Sequence, residues 1–137
     1  MTTPTDPEQQ LAAAYRAGVE AGDVDSLMDL FHADVLVDTH VPNWRFQLQG
    51  RDDAADRACV LPRPGRFASF EVEGAERGLL VQFAWQQDHA AGAVTVRQLH
   101  AWHVVDGRIA EQVVFCAGAW DRQLQDLMAA KAPLVRP

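Results

Sequence analysis

Across 137 residues the chain carries 19 acidic and 12 basic side chains, a net charge of -7, with 48% hydrophobic residues. Scattered cations and an acidic balance exclude the basic footprint that nucleic acid or anionic lipid requires. No apolar run approaches the roughly 18 residues of a membrane span, and residues 1–10 lack the basic-then-apolar layout of a signal peptide, so a cytoplasmic protein is expected.

The length suits one domain, expected over 1–137 with its core at about 7–131. Asp6-Pro7 followed by Gln9 predicts a helix start with a capping partner. Leu11, Ala14, Tyr15, Gly18 and Val19 then form one apolar stripe of that helix. Gly22 ends it, and Asp23 caps a short second helix with Leu27, Leu30 and Phe31 turned inward. Residues 35–41 predict a strand, Pro42-Asn43 breaks it, and 44–49 alternates Trp44, Phe46 and Leu48 against Arg45, Gln47 and Gln49 as a half-buried strand does. A third helix over 51–61 opens on Asp52 and Asp53 and stops at Pro62.

Strands are expected over 67–73 and 79–87, followed by a long hairpin turning at Asp106-Gly107, since a two-residue type I′ turn needs positive φ at both central positions. Residues 121–131 complete the chain as a last helix. Helices gathered early and strands gathered late predict an α+β domain with helices on one face of a curved sheet. One face of the hairpin's first strand carries Val94, Val96, Gln98, His100, Trp102 and Val104. An imidazole and a carboxamide inside an apolar row point to a lined cavity.

Tyr15 to Gly22-Asp23, Leu30-Phe31-His32-Ala33-Asp34, Gln49-Gly50-Arg51-Asp52 and Val105-Asp106-Gly107-Arg108-Ile109 stand in an order and spacing that resembles the nuclear transport factor 2-like superfamily. Ketosteroid isomerases, limonene epoxide hydrolases, scytalone dehydratases and SnoaL-type polyketide cyclases share this cone-shaped fold. The resemblance, from Leu11 to about Leu127, implies a curved, mixed, largely antiparallel sheet with helices on its concave face. It carries little functional information, because such folds host unrelated chemistries.

Against ketosteroid isomerases, Tyr15 matches the tyrosine that donates to the developing enolate, and His100 matches the second oxyanion donor if one residue is gapped at the hairpin turn. The isomerase base aligns with Thr39, flanked by Asp38 and His40, which face the other way unless the strand bulges. A plain hairpin pairs His100 with Val113, whereas relatives carry a bulge that brings Gln112, Val114 and Cys116 beside it. The Asp-Arg-Asp set of the epoxide hydrolases would need charges where this chain has Ala84, Gln86 and Val114, so that mechanism is rejected.

His100 is thus a candidate acid-base group, the alternative being a core histidine satisfied by a carbonyl, Gln98 or Gln112. Tyr15 is a candidate donor to the same substrate oxygen, and Asp38, Thr39 and His40 are candidates for the missing base. Phe83, Trp85, Gln98, Trp102, Gln112, Val114, Cys116 and Trp120 are expected to bind substrate, although aromatic residues on strands more often pack the core. Asp121 either caps the last helix or lies at the pocket mouth. No metal or cofactor is expected, since Cys59, Cys116 and the histidines lack ligand spacing.

The expectation is a protein that binds a small hydrophobic metabolite and acts as a cofactor-independent isomerase, dehydratase or cyclase. The rival is a non-catalytic ligand-binding or dimerising module. A homodimer is expected through Leu99, Ala101, Val113, Phe115 and Ala117 on the outward sheet face.

Overall fold

The computed structural model describes residues 2–88 and 92–136. Helix α1 (Asp6–Ala21) is followed by α2 (Val24–Met28), strands β1 (Phe31–Val41) and β2 (Trp44–Gln49), and helix α3 (Arg51–Ala58). Strands β3 (Gly65–Ala75), β4 (Gly78–Gln87), β5 (Val94–Val105) and β6 (Arg108–Trp120) come next, before α4 (Arg122–Lys131). The six strands form one curved sheet in the order β2-β1-β6-β5-β4-β3. Every neighbouring pair is antiparallel except β1 with β6.

Local chemistry explains the boundaries and moves two of them from their expected places. The capping box of α1 sits one residue early: Thr5 Oγ1 accepts from the Glu8 amide, and the Thr5 amide donates to Glu8 Oε2 at 2.8 Å. The buried stripe of α1 is Leu11, Ala12, Tyr15, Gly18 and Val19, with Ala12 in place of Ala14. Phe31 is buried as expected, but as the first residue of β1 and not as the end of α2.

The β5–β6 hairpin turns at Asp106 and Gly107, both with positive φ (51° and 75°), which is the type I′ geometry. Val104 pairs with Ile109 and His103 with Glu111, so Ala110 is an extra residue in β6. Beyond it the register places His100 opposite Val114, one residue past the plain-hairpin partner Val113. A second bulge lies between the pairs Gln98–Cys116 and Val96–Ala119. Gly118, at φ 98°, takes the backbone conformation that this bulge needs and other residues rarely adopt. The Ala110 bulge turns Gln112, Val114 and Cys116 to the side covered by the helices, and the second, beyond Cys116, adds to the curl of β6.

Asp121 caps α4, accepting from the Leu124 amide at 2.8 Å. The helix buries none of its residues against the sheet.

Candidate functional site

A cavity of about 240 Å³ lies between the concave side of the sheet and the helices. Alternation along the strands decides what enters it. Val37, Thr39 and Val41 of β1 point inward, as do Val96, Gln98 and His100 of β5, and Gln112, Val114 and Cys116 of β6. Tyr15 of α1 and Phe83 of β4 close two further sides. The roof is the end of α3 and the chain after it: Arg57, Ala58, Val60, Leu61 and Pro62.

His100 is fully enclosed, with Phe83 at a ring-centroid distance of 5.2 Å and Tyr15 at 6.0 Å. The indole N–H of Trp102 donates to its Nδ1 at 3.4 Å, which makes Nδ1 the acceptor. The proton therefore sits on Nε2, which donates to Gln98 Oε1 at 2.8 Å. Burial removes the water that would solvate an imidazolium and pushes the pKa down to about 3, so the ring is neutral at pH 7. Desolvation acts on Tyr15 in the opposite numerical direction, raising its pKa and keeping the phenol protonated as a donor.

Two polar atoms have no protein partner among the described residues. Thr39 Oγ1 and Gln112 Oε1 are both buried, and both residues line the cavity. The strands bring them close: Val37 pairs with Gln112 and Thr39 with Val114, so the two side chains are diagonal neighbours on adjacent strands. Leaving such a group unpaired costs about 1–3 kcal/mol, so both atoms are available to hydrogen-bond water or a ligand in the cavity. Among the described residues, no Asp or Glu contributes to the lining.

The other two residues considered as bases lie outside. Asp38 and His40 occupy the opposite face of β1, because its pairing with β2 and β6 is regular from Leu36 to His40 and no bulge reverses the alternation there. Asp38 accepts both Arg45 Nε at 2.8 Å and Arg45 Nη2 at 2.7 Å, and this bond holds its carboxyl well below the usual range. His40 stacks on Phe115 of the outer face, with centroids 4.6 Å apart.

Three tryptophans expected in the cavity are also placed elsewhere. Trp85 is wholly buried and donates from Nε1 to the Pro62 carbonyl at 2.7 Å, which supports the roof from below. Trp102 lies behind His100, edge-on to Tyr15 at 4.8 Å. Trp120 bonds to the Ala117 carbonyl beyond the mouth. Conversely, Arg57, Val60, Leu61 and Pro62, expected only as the end of the third helix and its stop, line the cavity. A half-buried loop after a short helix has no periodicity that reports which way it folds.

No protein-family model and no curated protein matches the sequence. Solved structures do. A nuclear transport factor 2-like protein of unknown function from Mesorhizobium loti superposes with a TM-score of 0.67 at 19% identity, over 86% of this chain and 100% of that one. An epoxide hydrolase of the limonene epoxide hydrolase type from Mycobacterium tuberculosis gives 0.63 at 14% identity, over 95% and 98%. TerC, co-crystallised with polyporic acid, gives 0.64 at 18% identity, over 80% and 90%. The chain is similar to these proteins in fold, and its own fold is the nuclear transport factor 2-like cone.

Proposed function

We propose, from this cone-shaped fold, that the protein receives a small, mostly apolar metabolite bearing carbonyl and hydroxyl oxygens and promotes its cofactor-independent rearrangement by proton transfer. Isomerisation, dehydration and cyclisation are the reactions of this type. The observation that carries the proposal is the pair of buried, unpartnered atoms, Thr39 Oγ1 and Gln112 Oε1, in a cavity without carboxylates. Gln112 Oε1 accepts a ligand hydroxyl, Thr39 both donates and accepts, and Tyr15 donates to a carbonyl oxygen on which charge develops. At about 240 Å³ the cavity falls just below the roughly 300–1,000 Å³ of drug-sized sites, which favours a ligand of one or two rings.

In this mechanism the polarised carbonyl acidifies the neighbouring C–H, and His100 Nδ1 takes the proton after its 3.4 Å bond from Trp102 breaks and the ring turns that nitrogen from the core side to the cavity, then returns it to the rearranged product. A neutral imidazole of depressed pKa is a weak base, so the reaction it serves is one in which Tyr15 does most of the work. Non-catalytic binding is the second reading, favoured by one observation: both His100 nitrogens already have protein partners.

Titration with 2-naphthol, followed by calorimetry, tests the binding site. Tyr15→Phe and Gln112→Leu are each expected to weaken it about tenfold, the equivalent of one hydrogen bond of about 1.4 kcal/mol. Unchanged affinity in both variants would overturn the site. Exchange of the α-hydrogens of 3-cyclohexenone in D2O, followed by NMR, then separates the two readings. Catalysed exchange that disappears in His100→Phe supports proton transfer, and exchange no faster than in buffer leaves a binder.

A further inference from the structure

Among the described residues that line the cavity, Arg57 alone carries a charge. It comes from the last turn of α3 and is exposed, so it belongs to the mouth and not to the interior. Its guanidinium lies over the ring of Phe46, 4.9 Å from the centroid. Phe46 is the β2 partner of Thr39 in the sheet register, so the ring that supports the guanidinium shares a face with one of the unpartnered polar residues. Stacking restricts a long side chain that would otherwise sweep through solvent, and it leaves the N–H edge free to donate. The ion pairs among the described residues engage Arg16, Arg45, Arg66 and Arg122, and none of them engages Arg57. Asp52, Asp53 and Asp56 of the same helix are absent from the lining.

A cavity with neutral hydrogen-bonding groups at depth and a single stacked, uncommitted cation at its mouth is polarised along its length. A charge could not be accommodated among His100, Val114 and Phe83, where nothing would solvate or pair it. At the mouth the same charge would keep part of its hydration and meet a planar donor fork that fits two oxygens. We propose that Arg57 is a specificity residue that anchors a carboxylate on the ligand, so that the substrate class is a hydrophobic hydroxy or oxo acid bound with its carboxylate outward. This rests on the cavity reading given above and adds the charge and the orientation of the ligand. A general field does not supply the preference, since the chain as a whole carries -7 and repels anions.

The probes are 6-hydroxy-2-naphthoate and its neutral counterpart 6-hydroxy-2-naphthamide, titrated calorimetrically into the intact protein, Arg57→Gln, Arg57→Lys and Tyr15→Phe. The expected result is tighter binding of the carboxylate by about fivefold, the worth of a partly exposed ion pair near 1 kcal/mol. That preference disappears in Arg57→Gln, survives in part in Arg57→Lys, and shrinks as salt is raised. Equal affinity for the two probes in the intact protein, or a loss in Arg57→Gln that affects both probes alike, overturns the anchor. If the amide still binds and is weakened by Tyr15→Phe, the cavity reading stands without it. If neither probe binds, both fall.

Discussion

The two faces of β1, β5 and β6 are made from the same strands, yet they treat ionisable groups in opposite ways. On the concave face His100 is stripped of water, holds its proton on Nε2 and stays neutral. On the convex face, one residue out of phase, Asp38 keeps its charge because Arg45 bonds both carboxylate oxygens, and His40 lies against Phe115 beside it. The difference teaches that acid-base capacity in this protein is assigned by strand phase. Residue type makes both Asp38 and His40 candidate bases, and their phase removes both from the site.

The largest effect should come from forcing the concave face to accept what the convex face tolerates. Val114→Asp places a carboxylate between His100 and Thr39 with no partner, and a loss of about 4 kcal/mol in urea unfolding is expected, or failure to fold. Arg97→Asp, outward on β5 and exposed, should change stability by no more than about 0.5 kcal/mol. Similar losses at the two positions would mean that the faces are misassigned.

Acid sharpens the same contrast. The His100 pKa is about 3 in the folded protein against 6.5 unfolded, so between those values only the unfolded chain takes up the proton. Stability should then fall by roughly 1.4 kcal/mol for each pH unit below 6.5. Asp38 acts in a lower window that meets the first only below 3.8, because its lowered pKa stabilises the fold above 3.8 and that contribution is lost as the pH falls towards about 2. Thermal unfolding from pH 7 to pH 4 should show the first slope in the parent and a flatter one in His100→Phe, and parallel slopes would contradict the burial argument.

A smaller and opposite change is expected at the unpartnered atoms. Gln112→Leu and Thr39→Val each remove a buried oxygen that has no protein partner among the described residues, so each should gain about 1 kcal/mol of stability in the absence of ligand while losing affinity for oxygenated probes. A loss of stability would point to partners that the fold already supplies. The smallest effect is predicted for Asp38→Asn, which should leave 2-naphthol affinity unchanged by calorimetry.

Much of this contrast was legible in the chain before it folded. The resemblance aligned Thr39 with the isomerase base while Asp38, Thr39 and His40 all stayed candidates, and Asp106-Gly107 predicted the hairpin that carries His100. The bulge at Ala110 was accessible only through resemblance, since nothing in the residue itself marks an extra position in a ladder. Alternation assigns a side but not a depth, which explains Trp85 and Trp102: both share the inner face with cavity residues and are spent on the core behind and beneath them. Arg57 and the roof were illegible for a third reason, because their approach to the sheet is a tertiary fact recorded in no local period.

The chain that roofs the cavity is anchored from two directions. Trp85 bonds the Pro62 carbonyl from inside, while Arg63 stands over the Trp85 ring and donates to the carbonyls of Val19 and Glu20 at the end of α1. A binding site whose ceiling is fastened before any ligand arrives has little ordering entropy left to lose on occupancy. Association should therefore run at the rate of unhindered encounter, and ligands that differ in affinity should differ chiefly in how long they stay.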